Sequence, residues 1–351
     1  MIKAKPIEIF CGTGGVGKTT TASSRAIYLA KQKKKVLLIT IDPSLRLKEV
    51  FGLNDKMAGE TEKVTHLNIG SQTPFEFEAM LMSPSATIAR MIKASSKGEL
   101  LNNPIIKTLT KPYGGMNEIM AMIELSQKIK TQKYDTIVLD TPPGKHFIDF
   151  LEAAQKINQF FDKSFLDLFK YLGKSFEGSR TQTLSKKLIG GIVTKGVKKL
   201  LGYLDKVTGQ AFVEEFIEAV SALYQNREYF LEGLELEEKL KIQSFSNWFL
   251  VTSVDQQKIT QAGKLKEQAI HFMHYDNYLI INKTLQRQLD SWSPETETTK
   301  SLKESMSYRE RKIKEFSKEN FSRILEFEEI LSDSPSEHVL KLSESWDNTS
   351  I

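Results

Sequence analysis

The stretch that decides the fold lies near the start of the chain, where residues 7–20 read IEIFCGTGGVGKTT. A short apolar and β-branched run, Ile7 to Phe10, leads into a glycine-rich loop that ends in Gly-Lys-Thr. Residues 12–19 fit the pattern G-x-x-x-x-G-K-[ST], which requires a strand before it and a helix after it. The stretch therefore predicts a strand, a phosphate-binding loop and a helix, in that order.

The residues of this loop suit a bound nucleoside triphosphate. Glycines let the backbone wrap tightly and turn its N–H groups toward phosphate oxygens, and the positive end of the following helix adds to the attraction. We expect Lys18 to reach the β- and γ-phosphates and the Thr19 hydroxyl to coordinate Mg²⁺. The alternative is a glycine-rich turn without a ligand, but every element of the pattern is in place. The predicted nucleotide-binding residues of the loop are Gly12, Thr13, Gly14, Gly15, Val16, Gly17, Lys18, Thr19 and Thr20.

Two aspartates, Asp42 and Asp140, each follow an apolar run that reads as a buried strand. The carboxyl ends of parallel strands meet at one edge of a sheet, so both side chains should lie beside the glycine loop. A carboxylate there can hold the hydration shell of Mg²⁺ or orient a water for attack on the γ-phosphate. The alternative for each is an Asx turn or a helix cap. We predict the functional role for both.

The apolar runs are separated by stretches with helical spacing, which indicates a parallel sheet covered on both faces. We predict an α/β P-loop NTPase fold, with a mostly parallel twisted sheet flanked by helices and an inserted helical subdomain. The polar residues 291–323 predict a loop and a solvated helix, and the tail after Glu344 reads as frayed. The predicted core comprises residues 1–73, 131–150 and 245–351, and the predicted helical subdomain comprises residues 74–130 and 151–244.

Composition narrows the functional class. The formal net charge of +5 is too small to indicate nucleic-acid binding without a clustered patch. The lysines of residues 31–35 read as cations at a helix end in water. Cys11 is the single cysteine, so the chain forms no internal disulfide and carries no Cys-x-x-Cys zinc site. Without a secretory leader or an apolar run of about 20 residues, we expect a cytoplasmic protein.

The base of the nucleotide is indicated by residues 282–285, which read Asn-Lys-Thr-Leu. GTPases usually carry Asn-Lys-x-Asp after a late strand, and the aspartate of that motif binds guanine. Here Leu285 stands in its place, whereas Asn282 can still bond to a purine. The sequence therefore favours ATP.

Taken together, five segments resemble the ArsA-type ATPases, also called anion-transporting ATPases, in the bacterial single-domain form. This family includes the arsenite pump ATPase and the ATPase that targets tail-anchored membrane proteins. The segments are GTGGVGKTT, ITIDPSLRLKEVFGL, GGMNEIMAMIEL, IVLDTPPGKHFIDFLEAAQKINQFFD and LIINK.

The resemblance implies a dimer that encloses ATP and changes shape with hydrolysis. It implies that Asp42 is the switch I aspartate that activates water, and that Asp140 is the switch II aspartate linked to Mg²⁺ through water. Pro142 and Gly144 then belong to switch II, and Asn282 contacts adenine.

The chain departs from the family at two places. Members commonly read GKGGVGKT, and the first lysine reaches the partner's nucleotide, whereas this chain has Thr13. A threonine is short and uncharged and cannot neutralise phosphate across an interface. Slow hydrolysis, another cation, or a paralogue that supplies the lysine are the open explanations. With Cys11 alone, we expect neither arsenite binding through cysteines nor a zinc-clamped dimer.

The helical insertion is the predicted client-binding part. Residues 147–172 are apolar on more than one helix face, and residues 188–207 combine four glycines with a lysine-rich face. Such segments can cover an apolar protein client or lie on an anionic membrane, or they can pack as an ordinary helical subdomain. We predict an ATPase acting on a hydrophobic or membrane-linked client. A nucleotide-gated binding module with little hydrolysis is the alternative, and a metabolic kinase or ligase is a third.

Overall fold

The computed structural model describes residues 2–41, 46–54, 58–94, 102–109, 116–160, 203 and 205–347. Its sheet has eight strands in the order β3-β4-β2-β5-β1-β6-β7-β8. The strands are β1 (Ile7–Gly12), β2 (Val36–Thr40), β3 (Thr61–Thr65), β4 (Glu76–Leu81), β5 (Thr136–Asp140), β6 (Ser246–Ser253), β7 (Tyr278–Thr284) and β8 (Ile324–Glu328).

Helices follow most of the strands in the chain. They are α1 (Lys18–Lys31), α2 (Arg46–Phe51), α3 (Pro84–Ala94), α4 (Pro104–Leu109), α5 (Asn117–Lys130), α6 (Lys145–Leu151), α7 (Ala153–Phe160), α8 (Gln210–Gln225), α9 (Arg227–Leu240), α10 (Gln256–Ala269), α11 (Gln286–Ser291), α12 (Glu297–Asn320) and α13 (Pro335–Glu344). No helix in the described ranges combines the length and the apolar composition needed to cross a bilayer.

Every pair of neighbouring strands is parallel except β3 and β4. Strands β1, β2 and β5 are buried along their whole length, as near-continuous apolar runs in a parallel sheet should be. The predicted α/β P-loop NTPase fold is confirmed. Because β5 lies between β1 and β2, the segments that follow these three strands emerge side by side at one edge of the sheet.

The chain forms two compact units. The first comprises Met1–Met82, Lys128–Leu151 and Leu236–Ile351, and it contains the whole sheet. The second comprises Ser83–Gln127 and Glu152–Glu235, and its elements are helices. The residue boundaries that we predicted for the core and the helical subdomain stay a prediction.

Residues 76–81, which we expected to be helical, form strand β4 instead. Phe77 and Ala79 are buried and alternate with Glu76 and Glu78, which is the two-residue period of a strand. Pairing with β2 on one side and β3 on the other supplies the backbone hydrogen bonds. The alternation was visible in the sequence, but its neighbours in the sheet were not.

The prediction of a frayed tail was wrong at residues 345–347, because Trp346 is fully buried, and the rest of that tail lies outside the described residues. Its ring lies against Phe10 of β1, Phe249 of β6 and Phe327 of β8, with centroid distances of 6.2, 5.6 and 4.9 Å. Its indole N–H donates to the Ser24 hydroxyl of α1 at 2.9 Å. Trp346, two residues after the end of α13, therefore belongs to the core beside the sheet.

Candidate nucleotide-binding site

The glycine loop joins β1 to α1 in a conformation that only glycine allows at two positions. Gly12 has φ 150°, and a Cβ atom there would lie 2.3 Å from the Val251 carbonyl oxygen of β6. Gly17, the residue before α1, has φ 93°, and a Cβ there would lie 2.3 Å from Nδ2 of Asn282. The loop is therefore held closely against the ends of β6 and β7.

Lys18 begins α1, and its side chain turns back over the loop. The residue is only 5% exposed, and Nζ donates a hydrogen bond to the Thr13 carbonyl oxygen at 3.0 Å. This places a positive charge at the mouth of the loop, beside the N–H groups of the first turn of α1. An anion bound by the loop would interact with both the Lys18 ammonium and these N–H groups.

Thr19, Thr40 and Asp140 meet at the edge of the sheet. Oδ2 of Asp140 accepts hydrogen bonds from the Thr19 hydroxyl at 2.7 Å and from the Thr40 hydroxyl at 3.0 Å. All three residues are buried. A hydroxyl beside a carboxylate is an oxygen donor set that suits Mg²⁺, directly or through water. The structure thus brings together the two residues that we predicted for the metal.

The segment after β5 rests on the glycine loop. Both the N–H and the hydroxyl of Thr141 donate to the Phe10 carbonyl oxygen, at 3.2 and 2.8 Å. Gly144 has φ 55°, and its N–H donates to the Gly12 carbonyl oxygen at 3.2 Å. Pro142, between them, is buried. A conformational change in this segment would therefore also move the backbone of the glycine loop, through these hydrogen bonds.

Asn282 is buried near the end of β7 and holds the loop by a direct hydrogen bond. Its Nδ2 donates to the Val16 carbonyl oxygen at 3.0 Å, and the side chain is only 3% exposed. The next residue, Lys283, has φ 64° at an irregularity in the β7–β8 pairing. The contact with Val16 was missed from the sequence, because 266 residues separate the two partners.

Thr13 faces inward. The residue is 8% exposed, and its buried hydroxyl has no hydrogen-bond partner among the described residues. Cys11 beside it is buried, and burial raises the pKa of its thiol to about 12. Position 13 therefore offers no positive charge and no outward polar group.

A buried ion pair joins the strand and the helix on either side of the loop. Arg25 of α1 donates to the two carboxylate oxygens of Glu8 of β1, at 2.7 and 3.0 Å, and neither side chain is exposed. The guanidinium also lies 4.7 Å from the ring centre of Trp346. Removing one partner would leave an uncompensated buried charge, so the pair fixes β1 against α1.

Other predicted sites lie outside the described residues. Asp42 is one, as are residues 161–202 of the helical insertion, which include most of its lysine-rich stretch. Thr40 and Thr141 were missed from the sequence. The signal for them was their position, because each is a hydroxyl residue at the carboxyl end of an apolar strand. Thr40 ends β2, and Thr141 directly follows β5.

The sequence of this chain is similar to those of known ATPases. The family model described as "Anion-transporting ATPase" matches residues 6–324. Curated relatives include "ATPase GET3" of Malassezia globosa, 34% identical over 170 residues that cover 48% of each chain. The "ATPase GET3" of Mycosarcoma maydis is 33% identical over 164 residues, or 47% of this chain and 45% of the relative. That of Candida glabrata is 32% identical over 198 residues, or 50% and 54%. The chain thus spans about half the length of the curated relatives it matches.

Proposed function

This chain belongs to the anion-transporting ATPase family, and on that premise we propose that it binds ATP with Mg²⁺ at the glycine loop and hydrolyses it. The observation that carries the proposal is the meeting of Lys18, Thr19 and Asp140 at one sheet edge, with Thr19 and Asp140 joined at 2.7 Å. This arrangement supports the proposal, because a cation, a hydroxyl and a carboxylate stand where phosphates and a metal ion would need them.

Each residue has a distinct proposed role. The loop N–H groups of residues 13–20 and the Lys18 ammonium bind the phosphates. The hydroxyl of Thr19 and the carboxylate of Asp140 hold Mg²⁺, which when bound neutralises charge on the phosphates. Asp42 orients the attacking water, in the role that its family position suggests. Asn282, which already bonds to the loop at Val16, contacts the adenine.

Two substitutions test the hydrolytic function. We expect Lys18→Ala to abolish turnover or to weaken nucleotide binding strongly, because it removes the loop cation. We expect Asp42→Asn to leave binding intact and to slow turnover, because it keeps the shape and removes the base. Steady-state phosphate release and binding of a fluorescent ATP analogue measure the two effects. Unchanged turnover in both variants would refute the proposal.

Thr13 favours the second candidate, a nucleotide-gated module with little hydrolysis of its own. Its side chain is short, buried and without charge, so a second copy of this chain would supply no cation from position 13. A paralogous partner in a heterodimer would then provide it. We compare turnover of the protein alone with turnover of Thr13→Lys. A strong gain supports the missing lysine as the limit, whereas no gain shows that position 13 does not limit the reaction.

We further propose that the nucleotide state opens and closes the helical unit around a hydrophobic or membrane-linked client, and that the working protein is a dimer. Within the second unit, Tyr203 and Val207 are 63% and 61% exposed, and Phe212 is 36% exposed. Exposed apolar side chains so close in sequence support a binding surface.

The client surface is tested with a labelled apolar helical peptide, with and without a non-hydrolysable ATP analogue. We expect Val207→Ser with Phe212→Ser to weaken peptide binding. Leu302→Ser, at a residue that is 52% exposed on α12 of the first unit, is the matched control. Equal loss in the control variant, or no dependence on the nucleotide, would contradict the gating proposal. The cytoplasmic location stays a prediction from the sequence.

A further inference from the structure

The opposite end of the sheet from the glycine loop contains a cavity of about 720 Å³. Its walls come from the turn between α1 and β2, from β3 and β4, and from the turn between α5 and β5. Five lysines line it, and we call it the lysine cavity. They are Lys33, Lys34, Lys35, Lys63 and Lys133.

The lysine cavity is separate from the nucleotide site. Lys35 directly precedes β2, whereas Thr40 at the other end of β2 bonds to Asp140. A strand rises about 3.3 Å per residue, so roughly 16 Å of β2 lies between them. The inference below therefore does not depend on the proposed function.

Charge in the cavity is strongly positive. Besides the five lysines its walls include two acidic residues, Glu76 and Glu78, which leaves a formal charge of +3 with histidine neutral. Lys63 pairs with Glu76 at 2.6 Å, and Lys133 pairs with Glu78. Each carboxylate is thus matched by one lysine.

The ammonium groups of Lys33, Lys34 and Lys35 form no ion pair with an acidic side chain in the part of the chain that the structure describes. The backbone N–H of Lys35, by contrast, donates to Oδ2 of Asp135 at 2.8 Å. Glu78 forms no ion pair with these three lysines, because its carboxylate already pairs with Lys133. Partial burial alone would raise the pKa of Glu78, but hydrogen bonds from Lys133 and the Tyr134 hydroxyl outweigh it and lower that pKa. Three exposed ammonium groups therefore remain available at the rim.

Apolar side chains form part of the wall. Phe75 and Phe77 are buried, and Val36 and Ala30 lie beside them. Charges of one sign in a concave surface with low-dielectric walls focus the electric field and raise the local concentration of opposite charge. The volume falls within the range of small-molecule sites, about 300–1,000 Å³. Lysine ammonium groups bind phosphate oxygens as point charges.

We propose that the lysine cavity binds a phosphate-bearing polyanion, either a free small molecule or the headgroup of an anionic lipid. The sequence pattern alone assigns the lysines of residues 31–35 to a solvated helix end. The cavity changes that interpretation, because it adds Lys63 and Lys133 from distant parts of the chain to the same concave surface.

The test measures binding of inositol hexakisphosphate to the full chain by isothermal titration calorimetry at fixed ionic strength. Substituting Lys33, Lys34 and Lys35 together by Gln removes three charges and keeps the side-chain length. We expect binding at least about tenfold weaker, because charge-assisted hydrogen bonds to phosphate are lost. The matched control substitutes the exposed Lys300, Lys312 and Lys318 of α12 by Gln and should bind as the unmodified protein does.

A substitution in the opposite direction sharpens the test. Glu76→Gln removes one of the two acidic groups and frees Lys63, so the formal charge rises and binding should tighten. Circular dichroism and the unfolding midpoint verify that each variant is folded.

A parallel arm identifies the source of the phosphate group. Flotation with phosphatidylcholine vesicles, with and without phosphatidylglycerol, tests the lipid headgroup on the same variants. Cavity-dependent binding to either probe supports the proposal and names its source. Binding to neither probe, or binding that the cavity and control variants lose equally, would overturn it.

Discussion

Trp346→Ala tests whether residues 345–347 belong to the core of the sheet-containing unit. The indole is fully buried, lies 4.7 Å from the Arg25 guanidinium and donates to Ser24 at 2.9 Å. Truncating a buried Trp to Ala costs about 3–5 kcal/mol. Arg25 would also lose its aromatic neighbour, so we expect a loss of about 4 kcal/mol in the free energy of unfolding.

Trp346→Phe separates packing from the hydrogen bond. It keeps an aromatic ring against its neighbours and removes the N–H group, so the expected loss is about 1 kcal/mol. Urea unfolding followed by tryptophan fluorescence suits the measurement, because all three tryptophans lie in the sheet-containing unit. If the free energy of unfolding of Trp346→Ala lies within about 0.5 kcal/mol of that of the unmodified protein, as for most surface substitutions, Trp346 is not part of the core.

Three further predictions concern the loop, the cysteine and a buried histidine. Gly17→Ala should be more destabilising, and more damaging to nucleotide binding, than Gly15→Ala in thermal unfolding and calorimetry. Both glycines have positive φ, but only a Cβ at position 17 meets another atom, at 2.3 Å, and equal effects would contradict this. The Cys11 thiol, with its pKa raised by burial to about 12, should resist a maleimide at pH 8 until urea unfolds the chain, and rapid native labelling would contradict its burial. His274 has its pKa lowered from 6.5, chiefly by burial, so the unfolded chain binds the proton more readily. Stability should fall as the pH drops below about 6.5, and His274→Asn should reduce that dependence; an unchanged profile would contradict it.

The sequence was sufficient for the parts of the fold in which local pattern and burial agree. β1, β2 and β5 are apolar at nearly every position because both faces of the sheet are covered, and each is followed by a polar residue at the same sheet edge. That Thr19 would lie near Asp140 could be predicted because β1 and β5 both end at this edge of the sheet. These inferences needed only strand spacing and the rule for parallel sheets.

The remainder depended on partners far away in the chain. Strand β4 alternates glutamates with buried apolar residues but was read as helix, because its pairing with β2 and β3 cannot be seen in the sequence. Trp346 stands in a polar tail, and its burial comes from aromatic rings of three strands. The bond from Asn282 to Val16 and the convergence of five lysines on one cavity are likewise tertiary. No periodicity encodes contacts of this kind.

The most direct test of the central claim is the affinity for ATP in the presence of Mg²⁺, measured by calorimetry on the unmodified chain and on Lys18→Ala. We expect the unmodified chain to bind one ATP per glycine loop, and Lys18→Ala to bind at least about tenfold more weakly, because a charge-assisted contact to the phosphates is lost. Equal affinity in the two proteins, or no binding by the unmodified chain, would contradict a nucleotide site at this loop.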